Sequence, residues 1–302
     1  MDIRQLRYFE AVARHRHFSR AADELHVAQS ALSHQVRRLE RELGIELLLR
    51  TTRSVQPTEA GELVAARARV VLAETDALRG EVDALRGLVR GHVSIGAMLF
   101  GGKLDIPAML ARFAAAYPHV EIGLQEGTAS QMTEMLADGS LDLAFALELE
   151  PLADVERLEL SHEELAVAMS PGHALSGQGP LSLDALAGAR LIAFHRGSST
   201  RRLLDSAFAR AGVEPQIALE ANDLALVRSL VARGIGLAIL PRSFLERPGA
   251  RISFRPLAPA LGLKVVLWWR QRRRLSPAAR AFVEFAAAHR PRERDSAPSA
   301  AV

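Results

Sequence analysis

The stretch that most constrains this chain is residues 18–41, FSRAADELHVAQSALSHQVRRLER. Its first part, about 19–25, has a short helical pattern with Ala21, Ala22 and Leu25 turned inward. Residues 26–28 interrupt the pattern, and a second helix is predicted from Gln29 to about Glu42. Leu32, Val36 and Leu39 form its apolar stripe at the 3.6-residue period of an α-helix. The other face carries Gln29, Ser30, Ser33, His34, Arg37, Arg38 and Arg41. Two short helices across a tight turn, the second offering amide, hydroxyl, imidazole and guanidinium groups, read as a helix-turn-helix with its recognition helix.

The flanking residues fit that reading. Ile3, Leu6, Phe9, Val12 and Ala13 give a supporting first helix, and Ser19 is the expected cap of the next. Ala28 stands where a capping hydroxyl is usual, and a missing cap costs roughly 0.5–2 kcal/mol. Gln29, Ser33 and His34, near the amino end, are placed for base edges, while Arg37, Arg38 and Arg41 are placed as phosphate anchors. Gly44 permits the left-handed turn that stops the helix. Leu47, Leu48 and Leu49 are predicted as a short strand, and RTTRSVQPT at 50–58 as a turn and return strand. This is wing geometry, with Arg50 and Arg53 near the tip as candidates for the minor groove or its flanking phosphates. Residues 1–58 are therefore expected to be one winged helix-turn-helix unit, mainly helical.

Thr58 is the expected cap of a long proline-free helix that reaches about Val89. Read as heptads, Val64, Val71, Leu78 and Leu85 occupy one seam position, and Ala68, Thr75, Val82 and Val89 the other. A two-stranded coiled coil over 59–89 is the expectation. Two copies also suit a reading head that spans few bases, because paired half-sites need a pair of heads.

From residue 90 the pattern alternates strand and helix: HVSIG, a helix over 104–117, HVEIGLQEG, a helix containing 132–137, LDLAFALE. After a further strand in 159–173 the alternation repeats, and KVVLWW with a last helix over 278–289 returns to complete the first half. A two-lobed α/β domain over 90–290 is expected, lobe I about 90–161 and 265–290, lobe II about 162–264, with parallel sheets and a crevice between lobes. Small anions favour places where a strand end meets a helix amino terminus. Arg196, Ser198, Ser199, Thr200 and Arg201 form such a place, whereas the matching loop in lobe I is the apolar Met98, Leu99 and Phe100. Ala146, Asn222 and Ile239 are further rim candidates. Residues 291–302 have little to bury and are expected to be disordered.

Composition mostly excludes. The 302 residues are 49% hydrophobic, enough for sizeable cores, and contain no cysteine, which removes disulfide and thiolate-metal frameworks. No apolar run is long enough to span a membrane and no leader is evident, so a soluble cytoplasmic protein without membrane contact is expected. Ten His are present, yet none falls into HExxH or another metal-ligand spacing, and no GxSxG occurs. Neither catalysis, a metal nor a cofactor is expected. The net charge of +3 says little about nucleic acid, so the helix-turn-helix pattern carries that claim.

The chain resembles the LysR-type transcriptional regulators of bacteria over nearly its full length. The residues that carry the resemblance are FSRAADELHVAQSALSHQVRRLERELGIELLLRTTRSVQPTEAG at 18–61, FAAAYPHVEIGLQEG at 113–127, LDLAF at 141–145 and VARGIGLAILP at 231–241. The resemblance implies an effector domain like the type 2 periplasmic binding proteins, and a homodimer, often a dimer of dimers. It also implies binding to an interrupted palindrome in promoter DNA, a small-metabolite effector between the lobes, and communication with RNA polymerase. The family's DNA-contacting positions map to Gln29, Ser33, His34, Arg37 and Arg53, and its ligand loops to 98–100, 196–200 and the surroundings of Asn222. Two departures stand out: Ala28 replaces the usual Ser or Thr, and 98–100 is apolar where a hydroxyl is common. The second points to a more apolar effector, or to the alternative of an architectural DNA-binding protein that answers to no small molecule.

Overall fold

The computed structural model describes residues 1–50, 55–85, 88–97, 102–148, 154–271 and 274–291. Helix α1 (Ile3–His15) starts at Asp2, whose carboxylate accepts from the Gln5 amide at 2.8 Å while the Gln5 side chain accepts from the Asp2 amide. Helix α2 (Phe18–Glu24) is capped by His17, whose Nδ1 accepts from the Arg20 amide at 3.4 Å. Ser19 is therefore not the cap. Phe18 has already entered the helix, and the extended backbone that a cap needs falls one residue before it, on His17.

Helix α3 (Gln29–Leu43) begins at Ala28 without a side-chain cap and stops at Gly44, which takes φ +70°. Leu32, Val36 and Leu39 are fully buried against Phe9, Val12, Ala21 and Leu47. Strands β1 (Leu48–Arg50) and β2 (Val55–Pro57) pair antiparallel, forming the base of the wing. Thr58 then caps α4 (Glu59–Ala84), its hydroxyl oxygen accepting from the Gly61 amide at 3.0 Å. Gly61 has no room for a side chain: a Cβ there would lie 2.1 Å from the Leu47 carbonyl oxygen.

The long helix is shorter than its heptads predict, ending at Ala84 rather than Val89. Val89 instead packs on the core of the following domain. The seam divides as well. Ala68 is buried and Val64 packs on the N-terminal core, because α1 lies along that face of α4. Val71, Leu78, Val82 and Leu85 remain exposed, and Thr75 is half-buried with its hydroxyl donating to the Val71 carbonyl.

Lobe I begins with β3 (Gly91–Ala97), α5 (Ile106–Ala116), β4 (Val120–Glu126), α6 (Ala129–Asp138) and β5 (Leu143–Glu148). Strand β6 (Val155–Met169) leads across to lobe II, which holds β7 (Arg190–Ala193), α7 (Ser199–Ala211), β8 (Gln216–Glu220), α8 (Leu224–Ala232), β9 (Ala238–Pro241), the short α9 (Arg242–Leu245) and β10 (Ser253–Pro256). Strand β11 (Gly262–Arg270) and α10 (Pro277–Ala288) return to lobe I.

The large sheet has the order β10-β6-β11-β5-β3-β4, with β9 beside β6. Strands β3, β4 and β5 are parallel, but β11 runs antiparallel to both β5 and β6, so the sheet is mixed rather than parallel. The reason is topological: a strand returning from lobe II enters lobe I from the opposite end. The first ten residues of β6 run beside β11, all but Leu160 at a bulge pairing with it, and the last five pair with β9 and β10, so one continuous strand joins the lobes. Helix α10 is fixed to α5 by Phe282 edge-on to Phe113, centroids 4.8 Å apart, a pairing worth about 0.5–1.5 kcal/mol beyond burial.

Candidate nucleic-acid interface and inter-lobe crevice

Burial of Leu32, Val36 and Leu39 turns the rest of α3 outward. Gln29, Ser30, His34, Arg37, Arg38 and Arg41 are exposed, and Ser33 is half-buried at the edge of the stripe. Three of these side chains have local partners, Arg41 through its Nε, which donates to the Arg37 carbonyl at 3.4 Å. The Gln29 amide oxygen accepts from Ser19 Oγ at 3.5 Å, and Arg38 Nε donates to Glu42 at 3.1 Å. The Arg38 side chain keeps half its surface open, so it can still reach a phosphate.

Arg50 behaves differently from its expectation. Its guanidinium turns back to Glu40 of α3 at 2.5 Å and lies 5.4 Å from the Phe18 ring centroid. The other Glu40 oxygen accepts the Leu47 and Leu48 amides at 3.1 and 3.2 Å. Glu40 thus fastens the wing strand to the recognition helix, and Arg50 serves that joint. An acid set among Arg37, Arg38 and Arg41 was the available signal in the sequence. Arg53 lies outside the described residues, as do Met98, Leu99 and Phe100.

In the α/β domain, a crevice outside the carboxyl ends of parallel strands is where such sheets bind ligands. Strand β7 runs parallel to β8, and Leu191 bridges Leu237 in the same sense, so the loops after Ala193, Glu220 and Pro241 leave one end of lobe II. The loop after β3 meets them: Arg247 donates to the Gly102 carbonyl, and α7 packs against β5.

The structure redistributes the residues expected there. Arg196 is exposed and Ser198 is the half-buried residue before α7, without a side-chain cap bond. Ser199 and Thr200 are buried, at 1% and 6% exposure, because they begin the helix on its inward face. Arg201 is buried too, and its donors are used within the chain: Phe194 carbonyl and Glu220 at 2.9 Å each, Asp205 at 2.8 Å. The Arg201 hydrogen bond holds the Glu220 carboxyl below its ordinary range against the opposing effect of burial. Asn222 accepts from the His195 amide at 3.0 Å and so ties two strand-end loops together. Ala146 and Ile239 are not rim residues. Ala146 is fully buried under α6 beside Met132 and Val266, and Ile239 sits in the main core, since each lies within a strand covered on that face.

Glu163, in the middle of β6, was not marked by any sequence pattern. It is 2% exposed, accepts from the Lys103 amide of lobe I, and accepts from Ser243 Oγ of lobe II at 2.6 Å. Among the described residues no group of three or more metal-ligating side chains occurs, and no helix is long and apolar enough to cross a membrane.

A recognition helix with an open polar face, a wing, a long helix and a two-lobed α/β domain define a DNA-binding transcriptional regulator with an effector-binding domain. The comparisons with known proteins give the family. The model of the bacterial regulatory helix-turn-helix protein, lysR family, matches residues 3–62, and that of the LysR substrate binding domain matches 86–291. The chain belongs to the LysR family of transcriptional regulators. The DNA-binding transcriptional dual regulator OxyR of Escherichia coli (strain K12) is 34% identical over 242 residues, 80% of this chain and 79% of that one. A full-length OxyR variant from Pseudomonas aeruginosa superposes with a TM-score of 0.77 at 27% identity, covering 95% of this chain and 94% of that one. Full-length CbnR complexed with its target DNA gives 0.65 at 26% identity, covering 95% and 99%.

Proposed function

We propose that α3 reads promoter DNA through Ser30, Ser33, His34 and Arg37, with Gln29 at its amino end. Arg38, Arg41 and the wing residue Arg53 hold phosphates or the minor groove. The observation that carries this is the outward face of α3, where polar and cationic side chains stand exposed opposite a fully buried Leu32–Val36–Leu39 stripe. A helix in the major groove needs that division between core and base edges. The division of labour follows the chain: 1–58 for DNA, 59–89 for pairing, 90–290 for sensing.

Pairing as a homodimer uses Val71, Leu78, Val82 and Leu85, which stay exposed in a single chain. Dimers of dimers extend the footprint on DNA. Sensing uses the crevice between the lobes, with Arg196, Ser198 and the amide end of α7 on one wall and Met98, Leu99 and Phe100 on the other. Promoter DNA sets the place of action in the cytoplasm, and the output is altered DNA binding or bending beside RNA polymerase.

The test is genome-wide selection of DNA by the purified protein, mapped to single sites. Interrupted palindromes near one promoter region support the reading, and uniform binding everywhere removes it. On the selected site, Ser33→Ala should weaken specific binding more than binding to random DNA. Arg38→Ala should weaken both and flatten the salt dependence.

A further inference from the structure

We propose that Glu163 is a built-in occupant of the anion position where the two lobes meet, and that it thereby sets the class of effector the crevice takes: a molecule that presents no carboxylate to the lobe I loop. The inference rests on the sensing role proposed above and adds the chemistry of the ligand.

Three observations converge on this carboxylate. First, its place: β6 is the strand that passes from the lobe I sheet into lobe II, and Glu163 stands just before it changes partners. Second, its bonds: one oxygen accepts the Lys103 amide from the loop after β3, and the other accepts the Ser243 hydroxyl just beyond β9. One partner comes from the loop between β3 and α5 in lobe I, the other from the short α9 that follows β9 in lobe II. Third, the space: a Cβ on Gly102 would lie 2.7 Å from Glu163 Oε1, so the lobe I loop is stripped of a side chain where the carboxylate lies.

An acidic ligand at the carboxyl ends of parallel strands is held by backbone amides and hydroxyls. Here a side chain of the protein makes those bonds. A second carboxylate beside it would meet a like charge and find its donors taken, and two such groups in one site cannot both stay ionised at ordinary cost. Glu220 plays the matching part in lobe II by engaging Arg201. The Lys103, Ser243 and Arg201 donors are thus satisfied internally, and the effector meets the lobe I loop through groups other than a carboxylate.

The test removes the internal anion and supplies one from solution. In full-length Glu163→Ala the Lys103 amide and the Ser243 hydroxyl lose the Glu163 carboxylate. Its melting temperature should fall below that of the natural chain and recover by roughly 2–4 °C, saturably, in sodium formate but not in sodium chloride of equal ionic strength. The natural chain and Glu163→Gln, which keeps an acceptor at the position, should show no formate-specific rise. If Glu163→Ala does not fold, Glu163→Ser carries the same titration. A folded variant without rescue, or an equal formate shift in the natural chain, overturns the proposal. Neither DNA nor effector enters this measurement, so failure of the sensing reading would appear separately, as operator affinity that no metabolite moves.

Discussion

The Arg69 guanidinium of α4 meets the Asp138 carboxylate at the end of α6, and its Nε lies 3.8 Å from Glu10 of α1. One cation therefore touches the DNA-binding unit, carries the linker helix and holds the first lobe. The groups are partly exposed, so their attraction is screened and adds at most about 1 kcal/mol to stability. Their effect is on geometry. Asp138→Arg should separate linker and lobe, seen as a larger radius of gyration in small-angle scattering, with a modest fall in melting temperature as the Ser140 amide and hydroxyl lose the Asp138 carboxylate. Combining it with Arg69→Asp should restore the original dimension. If the double variant stays expanded, the pair does not set the domain arrangement.

Glu40 and Arg50 yield a second expectation. Because Arg50 is spent on Glu40 and the Phe18 ring, Arg50→Ala should lower stability by about 1–2 kcal/mol, read from urea unfolding. His34→Ala touches no core group and should leave the unfolding midpoint in place while weakening operator binding about tenfold, the scale of one lost base contact. An Arg50 variant with normal stability and poor DNA affinity would return Arg50 to the wing's DNA-contacting face.

The helix-turn-helix was legible because its signals are local. Leu32, Val36 and Leu39 declare a periodic stripe, and Gly44 and Thr58 declare the ends of helices within a few residues of where they act. The crevice was less legible because its groups meet across long sequence distances. Thr200 looks polar in a row of polar residues, yet the register of α7 turns it inward, and Arg201 is claimed by Glu220, nineteen residues on. Glu163 shows the same limit more sharply: Lys103 and Ser243 are 60 and 80 residues away. Periodicity also could not say which face of α4 belongs to a partner, since α1 and a second copy both want small apolar residues.

Acid should loosen the N-terminal unit through Glu24. The Arg14 hydrogen bond lowers the Glu24 carboxyl to about 2, burial opposing and His15 assisting. A carboxyl held below its unfolded value adds stability above that value, near 4.5, and loses it as pH falls toward about 2. The side chain is 41% exposed, so after screening the contribution stays below about 1 kcal/mol. Glu24→Gln should therefore differ from the natural chain at pH 6 and converge with it near pH 2, measured by urea midpoints. A difference that persists unchanged into acid would mean that the ion pair is not its source.

Arg228 is a buried cation with a purely structural task. It donates to the carbonyls of Ala250, Phe244 and Leu245 at 3.0–3.2 Å and lies 5.9 Å from the Phe244 ring centroid. Arg228→Ala removes the guanidinium from three carbonyls, of which Phe244 keeps the Arg247 amide at 3.3 Å, and should cost about 2–4 kcal/mol. Calorimetry should show the loss in the unfolding of the α/β domain, with specific DNA binding by the folded fraction retained. Normal stability in that variant would mean that water replaces the guanidinium.

The apolar row on α4 gives the sharpest test of assembly. Leu78 is 62% exposed, with Val71 and Val82 one turn or two to either side at 41% and 45%. A row of this kind at heptad spacing is costly in water and is covered when a second α4 lies against it. Leu78→Glu puts a charge in that seam while disturbing nothing inside one chain. Sedimentation at micromolar concentration should show the natural protein as a dimer or larger and the variant as a monomer with the same melting temperature at low concentration. Operator affinity should fall steeply as well, since one reading head spans only half a palindrome. A variant that remains dimeric would move the pairing surface off this helix and onto the α/β domain.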